Sequence, residues 1–438
     1  MISSLPTIAK AAEQIRAGDI SPLDLVESCL SRIERYEDRI HAWVLVDADG
    51  ARKEAARQDA VLRAGGDPGP LVGIPIGIKD IIDVAGWPTK AGSPLRDGHI
   101  AKADAPLVRY LRDAGAIILG KTVTTQFASF DPPPTRNPWN PSRTPGGSSS
   151  GSAAAVAVGM CMAAIGSQTG GSIIRPASYC GVTGLKPTFG QISLDGIVPF
   201  SAPIDHPGPI ARCVNDLLAV YAAIRGLTAG LELGSEPLPH RFHVIESYFM
   251  EQATPGVRSI TRRALAKIQD AWSEEQSIDL PASFAEVHTN HYRMMAYGAA
   301  EYHRQDFSAH RNAYAPNISK LIEAGLATSR EDYLAALEHQ RQFQSDMDAM
   351  LSGGRIAIMP STSTTAPASD TTGDPKFNSP WSYAGVPAIT IPCGLASDGL
   401  PCGLQLIGSR NSEARLLQAA AWCEEQIGFQ DRPPLLDE

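Results

Sequence analysis

The chain has 438 residues, of which 43% are hydrophobic and 19% charged. That composition supplies a large apolar core and excludes a mostly disordered protein. The net charge of −9 leaves no basic field to steer nucleic acid or an anionic membrane surface, and no uncharged apolar run is long enough to span a bilayer.

The first 65 residues read as helices. Ile8, Ala11, Ala12 and Ile15 follow helical spacing, with Gly18 able to close the turn. Ser21-Pro22-Leu23-Asp24 combines a serine cap, a proline at the first helical position and an acid three residues after the cap. Leu23, Val26, Leu30 and Ile33 are then expected to line one face. Met1–Arg16 has no basic start followed by an apolar core, so no secretory signal is expected. From Leu71 short apolar runs alternate with helical patterns: Val72, Ile74, Ile76 and Ile78 as a strand, Pro106–Ala114 as a helix, Ala116–Gly120 as a buried strand. Ser152–Gly159 suits a buried helix and Cys161–Ile165 an interior strand. This alternation favours a layered α/β fold.

Beyond about Gly226 the character changes. Residues 240–355 carry most of the histidines and long helical patterns such as Ser329–Leu351, and read as a helical cover. Strand signals return at 356–360, 388–392 and 403–408. Ser361–Asp374, rich in Ser, Thr, Ala and Pro, reads as a loop on a rigid sheet, where binding surfaces usually lie. The seven cysteines, odd in number and without a CxxC, read as small buried hydrophobes of a reduced, cytoplasmic protein.

Three features carry chemistry. Gly170-Gly171-Ser172 allows successive backbone N–H groups to face one concavity, as an oxyanion hole requires, with a serine closing it. The run Gly146-Gly147-Ser148-Ser149-Ser150-Gly151-Ser152 reads alone as a flexible linker, but the apolar segment that follows closely argues against one. Lys79 ends the apolar stretch Leu71–Ile78; burial there would neutralise the amine and make it a general base for a serine.

These residues resemble the amidase signature family. The resemblance rests on Gly73-Ile74-Pro75 with Lys79-Asp80, the Gly-Gly-Ser-Ser-x-Gly-Ser-like loop, Thr169–Ser172, Cys180–Thr188, Asp205–Pro209 and Gly403–Ser409. It implies one domain over 1–438, with N-terminal helices (1–65), a catalytic core (71–225), the helical cover and a return to the sheet (356–425). The implied fold is a mixed twisted sheet between helical layers. The implied triad is Ser172 as nucleophile, Ser148 as bridging serine after a cis peptide, and Lys79 as base. Thr169, Gly170, Gly171 and Ser172 would supply the oxyanion donors.

The chain also departs from the family pattern: Gln168 stands for a usual aspartate, Ile174 followed by Arg175 for a usual arginine, and Ser150 for a usual glycine. The loop Phe127–Pro134 is shorter and more apolar than usual. Phe130, Gln168 and Trp381 are therefore candidate substrate contacts, and Arg175 could hold a substrate carboxylate. Carboxylic amides are the expected substrates, with aryl carbamates and esters presenting the same carbonyl. A malonamate-like monoamide is an alternative. Rivals are the A-type subunit of a glutamine amidotransferase, a Cys180 nucleophile and a catalytically silent scaffold. His288 with His291, and His303 with His310, read as solvated helix faces rather than metal ligands. No metal or cofactor is expected. The expected partner is a small-molecule substrate, with no nucleic acid or membrane, and a homodimer is left open.

Overall fold

The computed structural model describes residues 5–227, 241–269 and 276–437; positions 1–4, 240 and 270–275 of the expected helical stretches lie outside them. Helix α1 (Ile8–Ala17) is capped by Thr7 and closed by left-handed Gly18, and α2 (Pro22–Ile40) starts with the Ser21–Asp24 capping box. The buried stripe of α2 runs through Leu25, Val26, Cys29, Ile33, Tyr36 and Ile40, whereas Leu23 is 40% exposed. The expected face was rotated, because Leu23 flanks the true i, i+3/i+4 row.

Strand β1 (Trp43–Val46) and helix α3 (Ala48–Arg63) lead into β2 (Pro75–Lys79), α4 (Pro106–Asp113) and β3 (Ile117–Thr122). Helix α5 (Ser150–Ala157), β4 (Ala163–Gln168), α6 (Ile174–Cys180), β5 (Thr183–Lys186), β6 (His206–Ala211) and α7 (Val214–Ile224) follow. Next come β7 (Arg241–Val244), α8 (Pro255–Gln269) and β8 (Gln276–Ser277), and then a helical run of α9 (Val287–Ala309), α10 (Pro316–Ala327) and α11 (Arg330–Met350). The chain closes with β9 (Arg355–Pro360), α12 (Ser379–Ala384), β10 (Ala388–Leu395), β11 (Pro401–Ile407) and α13 (Glu413–Ile427). The stretch 240–355 is thus not helical throughout: β7 and β8 extend the sheet through parallel pairing with β9 and each other.

One sheet of eleven strands has the order β1-β3-β2-β4-β6-β5-β10-β11-β9-β7-β8. It is mixed: β2 runs parallel to β3 and β4, while β4–β6, β6–β5, β5–β10, β10–β11 and β11–β9 are antiparallel. Every residue of β2 is buried, including Gly77 and Lys79. The Val72–Ile78 alternation therefore does not mark one wet and one dry face; strands covered on both faces read as continuous apolar runs. An apolar cluster runs from Leu5 to Leu435 and includes Ile76, Ile78, Ile165 and Ile391. All seven cysteines are free. Six are buried and Cys213 is half-buried, an exception to the expected burial. Among the described residues, no helix is long and apolar enough to cross a membrane.

Candidate active site

The site forms where β2, the loop before α5 and the β4–α6 turn converge. Strand β2 delivers Lys79 from between β3 and β4, and its side chain is fully buried. The loop before α5 packs too tightly for any residue but glycine at two positions. A Cβ on Gly146 (φ 82°) would lie 2.8 Å from Pro176 Cα, and one on Gly147 would lie 2.7 Å from Thr372 Cγ2. The Gly147–Ser148 peptide is cis.

Lys79 Nζ contacts three serine hydroxyls: Ser148 Oγ at 2.7 Å, Ser167 Oγ at 2.8 Å and Ser149 Oγ at 3.1 Å. Burial pushes the Lys79 pKa well below its ordinary value, and the charge of Asp205 partly opposes that shift. Asp205 is itself buried, which raises its carboxyl. It accepts hydrogen bonds from Thr169 Oγ1 (2.5 Å), Phe200 N (2.8 Å) and Ser201 N (2.9 Å).

Ser172 lies between β4 and α6 and is 8% exposed. The Ser149 N–H donates to Ser172 O at 3.3 Å and so ties the two loops together. Among the described residues, none accepts a hydrogen bond from the N–H groups of Thr169, Gly170, Gly171 or Ser172. These donors are therefore free for an oxyanion. Gly171 must be glycine, because a Cβ there would lie 2.6 Å from Asn378 Oδ1.

The candidate substrate contacts are placed differently. Gln168 is buried; its Oε1 accepts from Ile173 N (2.9 Å) and Ile174 N (3.0 Å), and its Nε2 donates to Ser382 Oγ (3.1 Å). It holds the start of α6, with both amide atoms bonded within the chain. Arg175 is 1% exposed; its Nη2 donates to Gly147 O at 2.7 Å under the cis-peptide loop, while its buried Nε and Nη1 have no partner among the described residues. Trp381 is fully buried, donates to Phe377 O at 2.9 Å and stacks on Phe249 at 5.4 Å. Phe377 is also buried, within the same aromatic cluster. Phe130 is half-buried at the core edge. Its loop is docked by the Asp131 carboxylate, which accepts from Asn317 N (2.8 Å) and Ile318 N (2.9 Å) at the start of α10.

The histidines also depart from expectation. His291 and His303 are buried, His288 is half-buried and His310 alone of the four is exposed. Cys180 is fully buried in an apolar setting that raises its thiol pKa, and its Sγ faces Pro145 O at 3.5 Å. A protonated, inaccessible thiol is a poor nucleophile.

Ser149, Ser167, Asp205 and His291 are not among the site residues expected from the sequence. Ser149 and Ser167 adjoin motif residues, so proximity in the chain could have flagged them. His291 is 122 residues from Thr169, whose carbonyl it contacts at 3.0 Å, and no local pattern reports that.

The Amidase family model matches residues 24–417. The chain is 35% identical to the A subunit of the glutamyl-tRNA(Gln) amidotransferase of Roseiflexus castenholzii (strain DSM 13941 / HLO8), covering 98% of this chain and 97% of that protein. Among solved structures, the native peptide amidase of Stenotrophomonas maltophilia superposes with a TM-score of 0.83 at 30% identity, covering 98% of each chain. A structure described as an unexpected vestigial protein complex that reveals the evolutionary origins of an s-triazine catabolic enzyme superposes with a TM-score of 0.90, also at 30% identity. It covers 98% of this chain and 100% of that one. The chain belongs to the amidase signature family.

Proposed function

We propose that this chain hydrolyses the C–N bond of carboxylic amides through an acyl-enzyme, with Ser172 as nucleophile, Ser148 as proton bridge and Lys79 as base. The observation that carries this reading is the buried Lys79 amine among three serine hydroxyls. A neutral amine has two N–H donors and one lone pair, so one of the three hydroxyls donates to it. Ser149 Oγ is occupied with Ser167 O at 3.2 Å. Of the other two, Ser148 at 2.7 Å and Ser167 at 2.8 Å, the proposed relay assigns the proton to Ser148.

As Ser172 Oγ attacks the carbonyl carbon, its proton passes to Ser148 and that of Ser148 to Lys79. The carbonyl π pair becomes the oxyanion, held by the free N–H groups of 169–172. The C–N bond then breaks, the proton returns through Ser148 to the leaving nitrogen, and water attacks the acyl-enzyme along the same relay. Ser172 Oγ and Ser148 Oγ share no hydrogen bond among the described residues; the relay requires that bond to form as substrate binds.

Arg175, tied at Nη2 to Gly147 O, braces the cis-peptide loop in this reading, which favours an uncharged acyl group; its buried Nε and Nη1, without a partner among the described residues, keep a malonamate-like acid as the alternative. Anilides fit this reading, as do aryl carbamates and esters that present the same carbonyl. The curated relatives favour a second reading, the A-type component of a glutamyl-tRNA(Gln) amidotransferase. Turnover of a simple anilide by the isolated chain supports the first reading, and activity confined to a complex supports the second. The unpaired cysteines support a reducing, cytoplasmic setting.

A fluorophosphonate probe tests the nucleophile. It is expected to add to Ser172, and Ser172→Ala is expected to abolish both labelling and turnover in a folded protein. An adduct on Cys180, or full activity in Ser172→Ala, overturns the reading.

A further inference from the structure

Four consecutive peptides, from Gln168–Thr169 to Gly171–Ser172, present their N–H groups as the oxyanion donors. The only cis peptide among the described residues is Gly147–Ser148, so these four are trans. In a trans peptide the C=O of one residue points opposite to the N–H of the next. Whatever grips the carbonyls from behind therefore aims the N–H groups in front.

Each of the four carbonyls is gripped. Gln168 O faces His206 Nδ1 at 3.2 Å, a nitrogen it shares with the nearer Ile204 O at 2.8 Å. Thr169 O accepts from His291 Nε2 at 3.0 Å. Gly170 O accepts from Ser382 Oγ at 3.2 Å. Gly171 O accepts from Arg175 N, the first turn of α6, at 2.9 Å. The middle two grips come from far in the chain, on α9 and α12. Both side chains are buried, His291 at 3% exposure and Ser382 at 0%. Thr169 O can only accept, so His291 carries its proton on Nε2. Ser382 is oriented in turn, since its Oγ also accepts from Gln168 Nε2 at 3.1 Å.

We propose that His291 and Ser382 are positioning residues: by donating to the carbonyls of Thr169 and Gly170 from behind, they aim the N–H groups of Gly170 and Gly171 at the oxyanion. The same hydrogen bonds polarise those peptides and strengthen their N–H groups as donors. Glycine makes this external control necessary. Gly170 is not fixed by a clash: a Cβ there would meet Pro375 Cβ at 3.5 Å and His291 Cε1 at 3.6 Å, ordinary van der Waals contacts. Its backbone has no steric preference of its own to hold the peptide plane. This inference rests on the serine-amidase reading above.

The test uses the full chain and three variants, His291→Leu, His291→Gln and Ser382→Ala. The Gln amide nitrogen reaches about as far from Cα as imidazole Nε2, so it restores the donor that Leu removes. With 4-nitroacetanilide, His291→Leu and Ser382→Ala are expected to lose roughly 10- to 100-fold in kcat with little change in KM, less than the ~10²–10³ for deleting an oxyanion donor outright. Phenylboronic acid, which forms a tetrahedral adduct on the serine, is expected to bind these two variants weaker by a similar factor. His291→Gln is expected to recover to within about threefold of the parent on both measures.

Equal losses in His291→Leu and His291→Gln, or an unchanged boronate Ki in both His291→Leu and Ser382→Ala, overturn the orienting role. If His291→Leu fails to fold, His291→Gln with Ser382→Ala decides the matter by the same readouts. Labelling of the parent chain by a fluorophosphonate separates the two levels. A parent unlabelled at Ser172 removes the serine-amidase reading itself, whereas a labelled parent with unmoved boronate affinities overturns the positioning role alone.

Discussion

Lys79 is the residue on which the proposed chemistry turns, and its titration has a definite sign. Only the neutral amine accepts a proton, so kcat/KM is present above the folded-state pKa of Lys79 and is lost as pH falls through it. Burial depresses that pKa from the ordinary 10.5, so the limb lies well below the normal lysine range. Lys79→Arg is expected to lose at least about a thousandfold in kcat/KM, because a guanidinium stays protonated; near-normal activity in that variant would make the lysine structural. The Asp205 charge favours the ammonium form. Asp205→Asn removes that charge while keeping groups that can bond Thr169 and the 200–201 amides. Its limb is expected to move to lower pH, and a pH–rate profile that stays in place or moves upward contradicts this coupling.

At the scale of an element, α5 shows how the site is held. Local propensity favours alanine over glycine inside a helix by about 1 kcal/mol. Yet a Cβ on Gly151 would meet Ala42 O at 2.2 Å and Val123 N at 2.4 Å, both backbone atoms. The start of α5 is thus pressed against the end of β3 and the residue before β1, which fixes the Ser148 loop over Lys79. Gly151→Ala is expected to destabilise the protein by about 3 kcal/mol, the opposite of its helix propensity. Thermal or denaturant unfolding reads this directly, and a stabilised variant would show that the contact yields easily. The helix α9 carries the complementary lesson. Its histidine pair, read from sequence as solvated, turns one imidazole inward because α10, α11 and α12 pack against α9.

Across the whole molecule, the last quarter of the chain fills the middle of the sheet. Strands β10 and β11 lie between β5 and β9, and β9 carries β7. The same segment supplies Ser382 behind Gly170 and Asn378 against Gly171. A chain ending at Gly354 lacks three adjacent strands and exposes the flanks of β5 and β7. It is expected to lose cooperative unfolding and fluorophosphonate labelling together. Retention of labelling in that truncation would mean that residues 1–354 build a working site without the last three strands of the chain.

The sequence by itself determined the local elements with strong caps and apolar runs: α1 closed at Gly18, α2 opened at Ser21, and β9, β10 and β11 near their observed bounds. It also marked Lys79, Ser148 and Ser172, because glycine-rich turns and an apolar run ending in lysine are signals within a few residues. The middle strands β7 and β8 escaped it, since strands of four and two residues carry too little periodicity to register. Only the tertiary structure decided that Gln168 reaches Ser382, that Arg175 reaches Gly147 and that Trp381 is buried in an aromatic cluster, as these contacts join different elements. Side-chain type announces what a residue can do; burial and partners, set by long-range packing, decide whether it faces a substrate or holds the backbone behind one.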